Sequence, residues 1–279
     1  GWFGNAYGGY GSKDRYEGNA MVNRFVNNDQ ITFMGGTNNT NNMGFSDLAS
    51  TMFSGMGGGG GRRGGFGAGS GITSSGNAGL NFSKEFKPDK LTLGGNTRYS
   101  HSDNDARSKS DRQNILPGDS SSYDNSEAMS RTKSDNFGVD FRLEWKPDTM
   151  TQLIFRPSFS LSHSMNDNFS DATTLDNERD TVNTNKSSNY SESNGYNLNA
   201  SIDFSRKLNN KGRVFSATLS GGNSDSYSDG MNRSDIVYFN QTDALKNSII
   251  DQRSRYDNKG FNYRAYVSWV EPILSLIHI

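Results

Sequence analysis

From Asn136 to Ser162 the chain reads NFGVDFRLEWKPDTMTQLIFRPSFSLS, and polar and apolar residues alternate almost step by step on either side of a Lys-Pro-Asp-Thr break. Phe137, Val139, Phe141, Leu143 and Trp145 make one set, while Asn136, Gly138, Asp140, Arg142 and Glu144 fill the gaps. A period of two marks β-strands whose two faces meet different surroundings. The same reading predicts ten strands, near residues 2–10, 15–26, 29–38, 76–86, 90–101, 134–145, 150–163, 192–206, 213–223 and 258–270. Opposite their apolar positions stand Asn81, Ser83, Asn96, Arg98, Asn197, Asn199, Asp203, Asn262 and Arg264. Polar groups placed so regularly along long strands fit a wetted surface better than a second core.

The connections alternate too. Short ones are VNND (26–29), KPDK (87–90), KPDT (146–149) and LNNKG (208–212), each carrying residues that suit tight turns. Long ones, 39–75, 102–133, 164–191 and 224–257, are rich in Asn, Ser, Asp and Gly and read as loops. In an up-and-down meander the two kinds of connection lie at opposite ends. Outer-membrane barrels are laid out this way, with tight turns toward the periplasm and longer loops outside. If the KPDT end is periplasmic, Trp2, Trp145 and Trp269 all fall at that end, where an amphipathic ring prefers the headgroup level.

Composition narrows the alternatives. The 279 residues have a formal charge of −1, which gives no global pull toward nucleic acid. A mean hydropathy of −0.81 would suggest disorder, but 11% aromatic residues, gathered in alternating runs, argue against it. There is no cysteine, so neither disulfides nor thiolate metal sites are possible. No apolar run is long enough for a membrane helix, which leaves strands open as spanning elements. A soluble β-sandwich or solenoid also alternates, yet its strands usually run about 5–6 residues, and a sandwich needs Greek-key crossings. The final LSLIHI (Leu274 to Ile279) differs from all that precedes it. It is the translation of CTGTCTCTTATACACATC, the end of a common transposase sequencing adaptor. Native sequence is therefore expected to stop near residue 273, with 1–273 forming one partial barrel domain and 274–279 read-through. With no initiator Met, the chain reads as an internal fragment.

Several residues carry a further likeness. The opening WFGN, the hairpin from Gly9 to Tyr16, the run NNTNNMGFSD, the Gly-rich GGGGGRRGGFG and the later YVSWVEPI resemble the barrel of Bacteroidetes-type TonB-dependent receptors. More narrowly, they resemble the outer-membrane β-barrel proteins that begin with a carboxypeptidase-regulatory-like domain and a plug. The resemblance implies an all-β, antiparallel up-and-down meander that forms about ten strands of a 22-stranded transmembrane barrel. It also implies a place in the outer membrane of a Gram-negative bacterium. Expected partners are outer-membrane lipid, a plug domain and TonB complex reached through other parts of the chain, and a small solute. No nucleic acid, cofactor or metal is expected. The implied activity is import of a scarce siderophore, glycan, peptide or vitamin, without chemistry on the cargo. A surface adhesin or structural barrel and a passive porin are the alternatives.

Candidate site residues are few. In a barrel, the strand charges Arg98, Asp140, Arg142, Asp203 and Arg264 should face the lumen, because a charge at the lipid midplane costs about 2–4 kcal/mol. Residues 55–71, GMGGGGGRRGGFGAGSG, lack the Lys-Ser/Thr of a phosphate-cradling loop, and a single RRGG is thin support for nucleic-acid binding. That stretch reads as an external loop in which Arg62, Arg63 and Phe66 could touch ligand. The acidic stretches 102–111 and 170–180 lack the Asp-x-Asp-x-Asp-Gly framework of a calcium loop and read as solvated loops. His101 and His163 lie on separate strands, and no catalytic spacing accompanies them.

Overall fold

The computed structural model describes residues 1–41, 71–115, 121–239 and 247–272. Ten strands follow one another: β1 (Trp2–Tyr10), β2 (Tyr16–Val26), β3 (Asp29–Asn38), β4 (Ile72–Lys87), β5 (Leu91–Asn114), β6 (Ser122–Trp145), β7 (Thr151–Leu175), β8 (Thr181–Lys207), β9 (Val214–Tyr238) and β10 (Ser248–Val270). They form a single antiparallel sheet in chain order, with β1 and β10 as its two edges. The described residues contain no helix, and each strand packs chiefly on its sequence neighbours. This is the all-β up-and-down meander expected from the alternation, in the form of an open, partial barrel.

The turns form by two local mechanisms. At KPDK, Lys90 donates its backbone N–H to the Lys87 carbonyl at 3.0 Å, and Asp89 takes the left-handed backbone (φ 56°) that Asp and Asn tolerate best. At KPDT a side chain closes the turn instead, and at LNNKG a side chain does so together with the Leu208 N–H, which donates to the Arg213 carbonyl at 2.9 Å. Asp148 Oδ1 accepts the Met150 N–H at 2.8 Å, and Asn209 Oδ1 accepts those of Lys211 and Arg213 at 3.0 Å each. Gly212 has φ 99°, a backbone conformation that glycine adopts freely.

Directly paired residues share a face, so the register sorts every side chain. One row crossing all ten strands runs Gly4, Val22, Phe33, Leu80, Thr97, Val139, Phe159, Leu198, Asn223, Phe261. The adjoining row, on the opposite face, runs Phe3, Asn23, Thr32, Asn81, Asn96, Asp140, Ser158, Asn199, Gly222, Asn262. The first face carries most of the exposed aromatics and aliphatics, including Phe33, Phe141, Leu198 and Phe261, which is 78% exposed. Near the two sheet edges, Phe3, Phe25, Tyr256 and Tyr266 are exposed on the other. The second carries the buried side chains Asn19, Asn23, Thr32, Met34, Asn81 and Asn96. Among the described residues no second layer covers that face, and these groups are buried by neighbouring side chains of the same sheet, as where Asn19 donates to the Tyr7 hydroxyl at 2.6 Å. We call that face the inner face and the apolar one the outer face.

The structure corrects the expected long connections. Residues 72–75, 102–114, 122–133, 164–175, 181–191, 224–238 and 248–257 are strand, and β5 to β10 are each 23 to 27 residues long. Among the described residues, the connections beyond these extensions reduce to a turn at 176–180 and the residues flanking 42–70, 116–120 and 240–246. Low β-propensity and high polarity made these stretches look like loops. Cross-strand pairs between polar side chains outweigh that weak preference. Arg131 donates two hydrogen bonds to the Asp103 carboxylate at 3.0 and 2.8 Å, and Lys109 reaches Glu127 at 3.1 Å.

Candidate functional site: a two-faced wall

The outer apolar belt is sharply bounded. On β5, β6, β7 and β8 it spans Leu91–Tyr99, Phe137–Trp145, Leu153–Leu161 and Tyr196–Phe204. Nine residues of strand cover about 27 Å, or about 21 Å of height at a tilt near 40°, close to the apolar band of outer-membrane barrels. Inside the belt two phenyl rings make a specific contact. Phe82 and Phe141 meet edge to face over Gly95, where a Cβ would lie 2.9 and 2.7 Å from their ring carbons.

Trp2, Trp145 and Trp269 all stand on the outer face at the end that carries the tight turns. Their heights drift steadily across the sheet. Trp2 lies in the row of Phe141, two rows further from the turn than Trp145, and Trp269 lies in the row of Thr151, one row nearer to it. In tilted strands a level plane crosses successive strands at shifted register, and these three rings follow such a shift.

Arg98, Asp140, Arg142, Asp203 and Arg264 all stand on the inner face. Four of them are held in ion pairs. Arg98 contacts Asp140, with its guanidinium lying over Gly138. Arg142 reaches Glu144 at 3.3 Å, and Arg156 pairs with Asp203, which also accepts the Thr218 hydroxyl at 2.8 Å. Arg264, on edge strand β10, makes no ion pair among the described residues. These contacts are partly exposed, so each adds at most about 1 kcal/mol and serves mainly to fix side-chain position. Arg62, Arg63 and Phe66 lie outside the described residues, as does the LSLIHI run.

Above the belt the two faces change character. The outer face becomes a field of mixed charge. The Asp103 carboxyl is held below the ordinary carboxylate range, first by the Arg131 hydrogen bonds and then by nearby positive charge from Arg131 and Lys133. The inner face becomes neutral. From the row of Ser100 to the row of Ser110, β5 to β10 present no Asp, Glu, Lys, Arg or His inward, and every such residue in those spans faces outward. Hydropathy alone does not reveal this segregation, because polar stretches of low β-propensity read as loops. The signal is present in SDNDARSKSD, where charge and small neutral residues alternate strictly from Asp103 to Asp111.

Of the two acidic stretches, 102–111 is strand throughout. In the other, 170–175 is strand and 176–180 is a turn in which Asp176 Oδ1 accepts the Glu178 and Asp180 N–H groups at 2.9 Å each. Asp103, Asp171 and Glu127 are each taken up by a basic neighbour, and no cluster of metal-ligating side chains forms among the described residues. His101 Nδ1 lies 2.7 Å from Asp135, and His163 Nδ1 lies 2.7 Å from Asn194, on the outer face just above the belt.

Comparison with family models and with curated proteins found no match. Among solved structures, the chain is similar to CarO of Acinetobacter baumannii at 11% identity and a TM-score of 0.24, over 60% of this chain and 78% of that one. It is also similar to the ferric yersiniabactin uptake receptor FyuA of Yersinia pestis, at 10% identity and a TM-score of 0.23, over 95% of this chain and 44% of FyuA. The FrpB iron transporter of Neisseria meningitidis matches at 8% identity and a TM-score of 0.21, over 95% of this chain and 58% of FrpB. The chain thus spans about half the length of the two transport proteins.

Proposed function

We propose that residues 1–273 are part of an outer-membrane β-barrel that binds a scarce solute at its outer end and admits it, in the manner of a TonB-dependent receptor. One observation carries this reading: a single sheet holds an uncovered apolar belt, close in height to the apolar band of outer-membrane barrels, on one face and a polar wall on the other. An apolar surface this large on a soluble monomer would need a partner, and lipid supplies one along the whole belt. In that setting Trp2, Trp145 and Trp269 anchor the periplasmic interface, and the fixed charges Arg98, Asp140, Arg142 and Asp203, with Arg264, line the path beside the plug. The edges of β1 and β10 would pair with further strands of the same barrel, since an open edge is not tolerated in hydrocarbon. The wall performs no chemistry on what passes.

The test is membrane fractionation combined with uptake. The protein should partition with the outer membrane, and a strain lacking it should lose growth on one solute source. Outer-membrane location with unchanged growth on every siderophore, glycan and peptide source overturns the import reading and favours adhesion. Recovery in the soluble fraction overturns the barrel reading itself.

A further inference from the structure

Resting on the barrel reading above, we infer that the wall above the belt handles an uncharged, polyhydroxylated solute rather than an ionic one. The inner face there is built mainly from hydroxyls and amides, interrupted by a few alanines and glycines and, toward the outer end, by Ile236 and Ile250. One row reads Ser102, Ser134, Ser164, Ser193, Ser228, Tyr256. Two rows further out, Ser130, Asn168, Asn189, Asn232 and Gln252 stand side by side with Ala106.

These groups are already aligned by contacts with one another. Ser130 donates to Asn168 at 2.6 Å, Thr132 to Asn166 at 3.0 Å, and Ser234 to Asn185 at 3.1 Å, while the Ser193 and Ser228 hydroxyls lie 2.9 Å apart. Each such contact uses one valence. A hydroxyl carries one donor and two lone pairs, and an amide carries two donors and an acceptor, so donors and acceptors remain along the wall. A sugar hydroxyl is likewise both donor and acceptor and fits this mixed lattice in many registers. Within the six rows from Ser100 to Ser110 a carboxylate or ammonium group would lose hydration and find no counter-charge, because every charge there points outward. Inward charge resumes only beyond them, at Arg98 and Asp140 on one side and Arg112 and Asp124 on the other. Either face could have hydrated the strands equally well, yet charge is excluded from one of them over six successive rows.

The inference is tested on outer-membrane vesicles containing the whole protein, against vesicles without it. Three probes of matched length are used: maltohexaose, hexagalacturonate and the glucosamine hexamer. Maltohexaose should bind saturably, and its affinity should stay constant as salt rises from about 0.01 M to 1 M and the Debye length falls from about 30 to about 3 Å. Neither charged hexamer should bind more tightly. The double variant Ser164→Asp/Ser193→Asp should weaken maltohexaose by about tenfold and introduce salt-dependent binding of the glucosamine hexamer. Asp171→Ser, on the outer face, should change neither. A charged hexamer bound about tenfold more tightly than maltohexaose with steep salt dependence overturns the inference, as does absent maltohexaose binding to vesicles that hold the folded protein. Protein missing from the outer-membrane fraction overturns the barrel reading and this inference together. Protein present there that prefers a charged hexamer overturns this inference alone.

Discussion

Phe82 on β4 and Phe141 on β6 meet across the intervening strand, their ring centroids 6.3 Å apart and their planes at 62°, because Gly95 between them has no side chain. Edge-to-face pairs of this kind add about 0.5–1.5 kcal/mol beyond area burial. Gly95→Ala must push both rings aside, since the new carbon would lie within 3 Å of each and 3.1 Å from the Asp140 carbonyl. We expect a loss of about 1–3 kcal/mol, read as a lower urea midpoint in lipid vesicles. An unchanged midpoint would mean that the rings do not cover this glycine.

Neighbouring residues on β8 should respond oppositely to the same change. Ala200 stands at mid-belt on the outer face, and Asn197 stands on the inner one. Ala200→Arg should cost about 2–4 kcal/mol in a bilayer, while Asn197→Arg costs under about 1 kcal/mol. Equal costs at both positions would show that the faces are assigned wrongly.

Quenching by lipids brominated at defined depths should place the three tryptophans at one level. The expected result is strong quenching from bromines near the headgroups and little from those at the chain ends, for Trp2, Trp145 and Trp269 alike. Single-tryptophan variants separate the signals, and a ring that responds best to deep bromines would contradict the stagger described above.

Acid should weaken the extended part of the sheet before the belt. Asp103 has a lowered carboxyl pKa in the folded chain, held down by Arg131. Its contribution is therefore complete above the unfolded Asp value of about 4 and is lost as pH falls through the lower folded value. Hydrogen exchange around Asp103 and Arg131 should accelerate over that range, and Asp103→Asn should remove the pH dependence locally. An unaltered profile in the variant would assign the effect to another group.

In water without detergent the 279-residue chain should aggregate, because its belt is uncovered and β1 and β10 expose ladder groups. A monomer that melts cooperatively in plain buffer would count heavily against a membrane setting.

Most of the belt was legible from the sequence because there the two faces differ in kind. In Phe137 to Trp145 the period of two is written in oil and polar groups, and the ten predicted strands coincide with the turn-proximal parts of the ten observed ones. The short turns were legible for a similar reason, since Pro-Asp and Asn-Asn have few conformations to choose from. The upper half was not legible by that rule. From Glu127 to Asp135 the outward residues are Glu, Met, Arg, Lys and Asp, and the inward ones are Ala, Ser, Thr and Ser. Hydropathy scores both sets as mostly polar, so the alternation disappears unless charge is tracked separately from polarity. Pair contacts such as Asp103 with Arg131 lie 28 positions apart, beyond any local window. The inward placement of Arg98 and Asp140 followed from parity alone, but their contact with each other depended on register.

The height of β8 above the belt has a practical corollary for any cell that displays this protein. From Thr181 to Tyr196 the strand rises roughly 50 Å along its length, with ladder partners on both sides. Proteases grip their targets as single extended segments, and such a segment is not free here until neighbouring ladders open. Surface shaving of intact cells should therefore spare this tall palisade, with cuts expected at its rim, around the bend at 176–180.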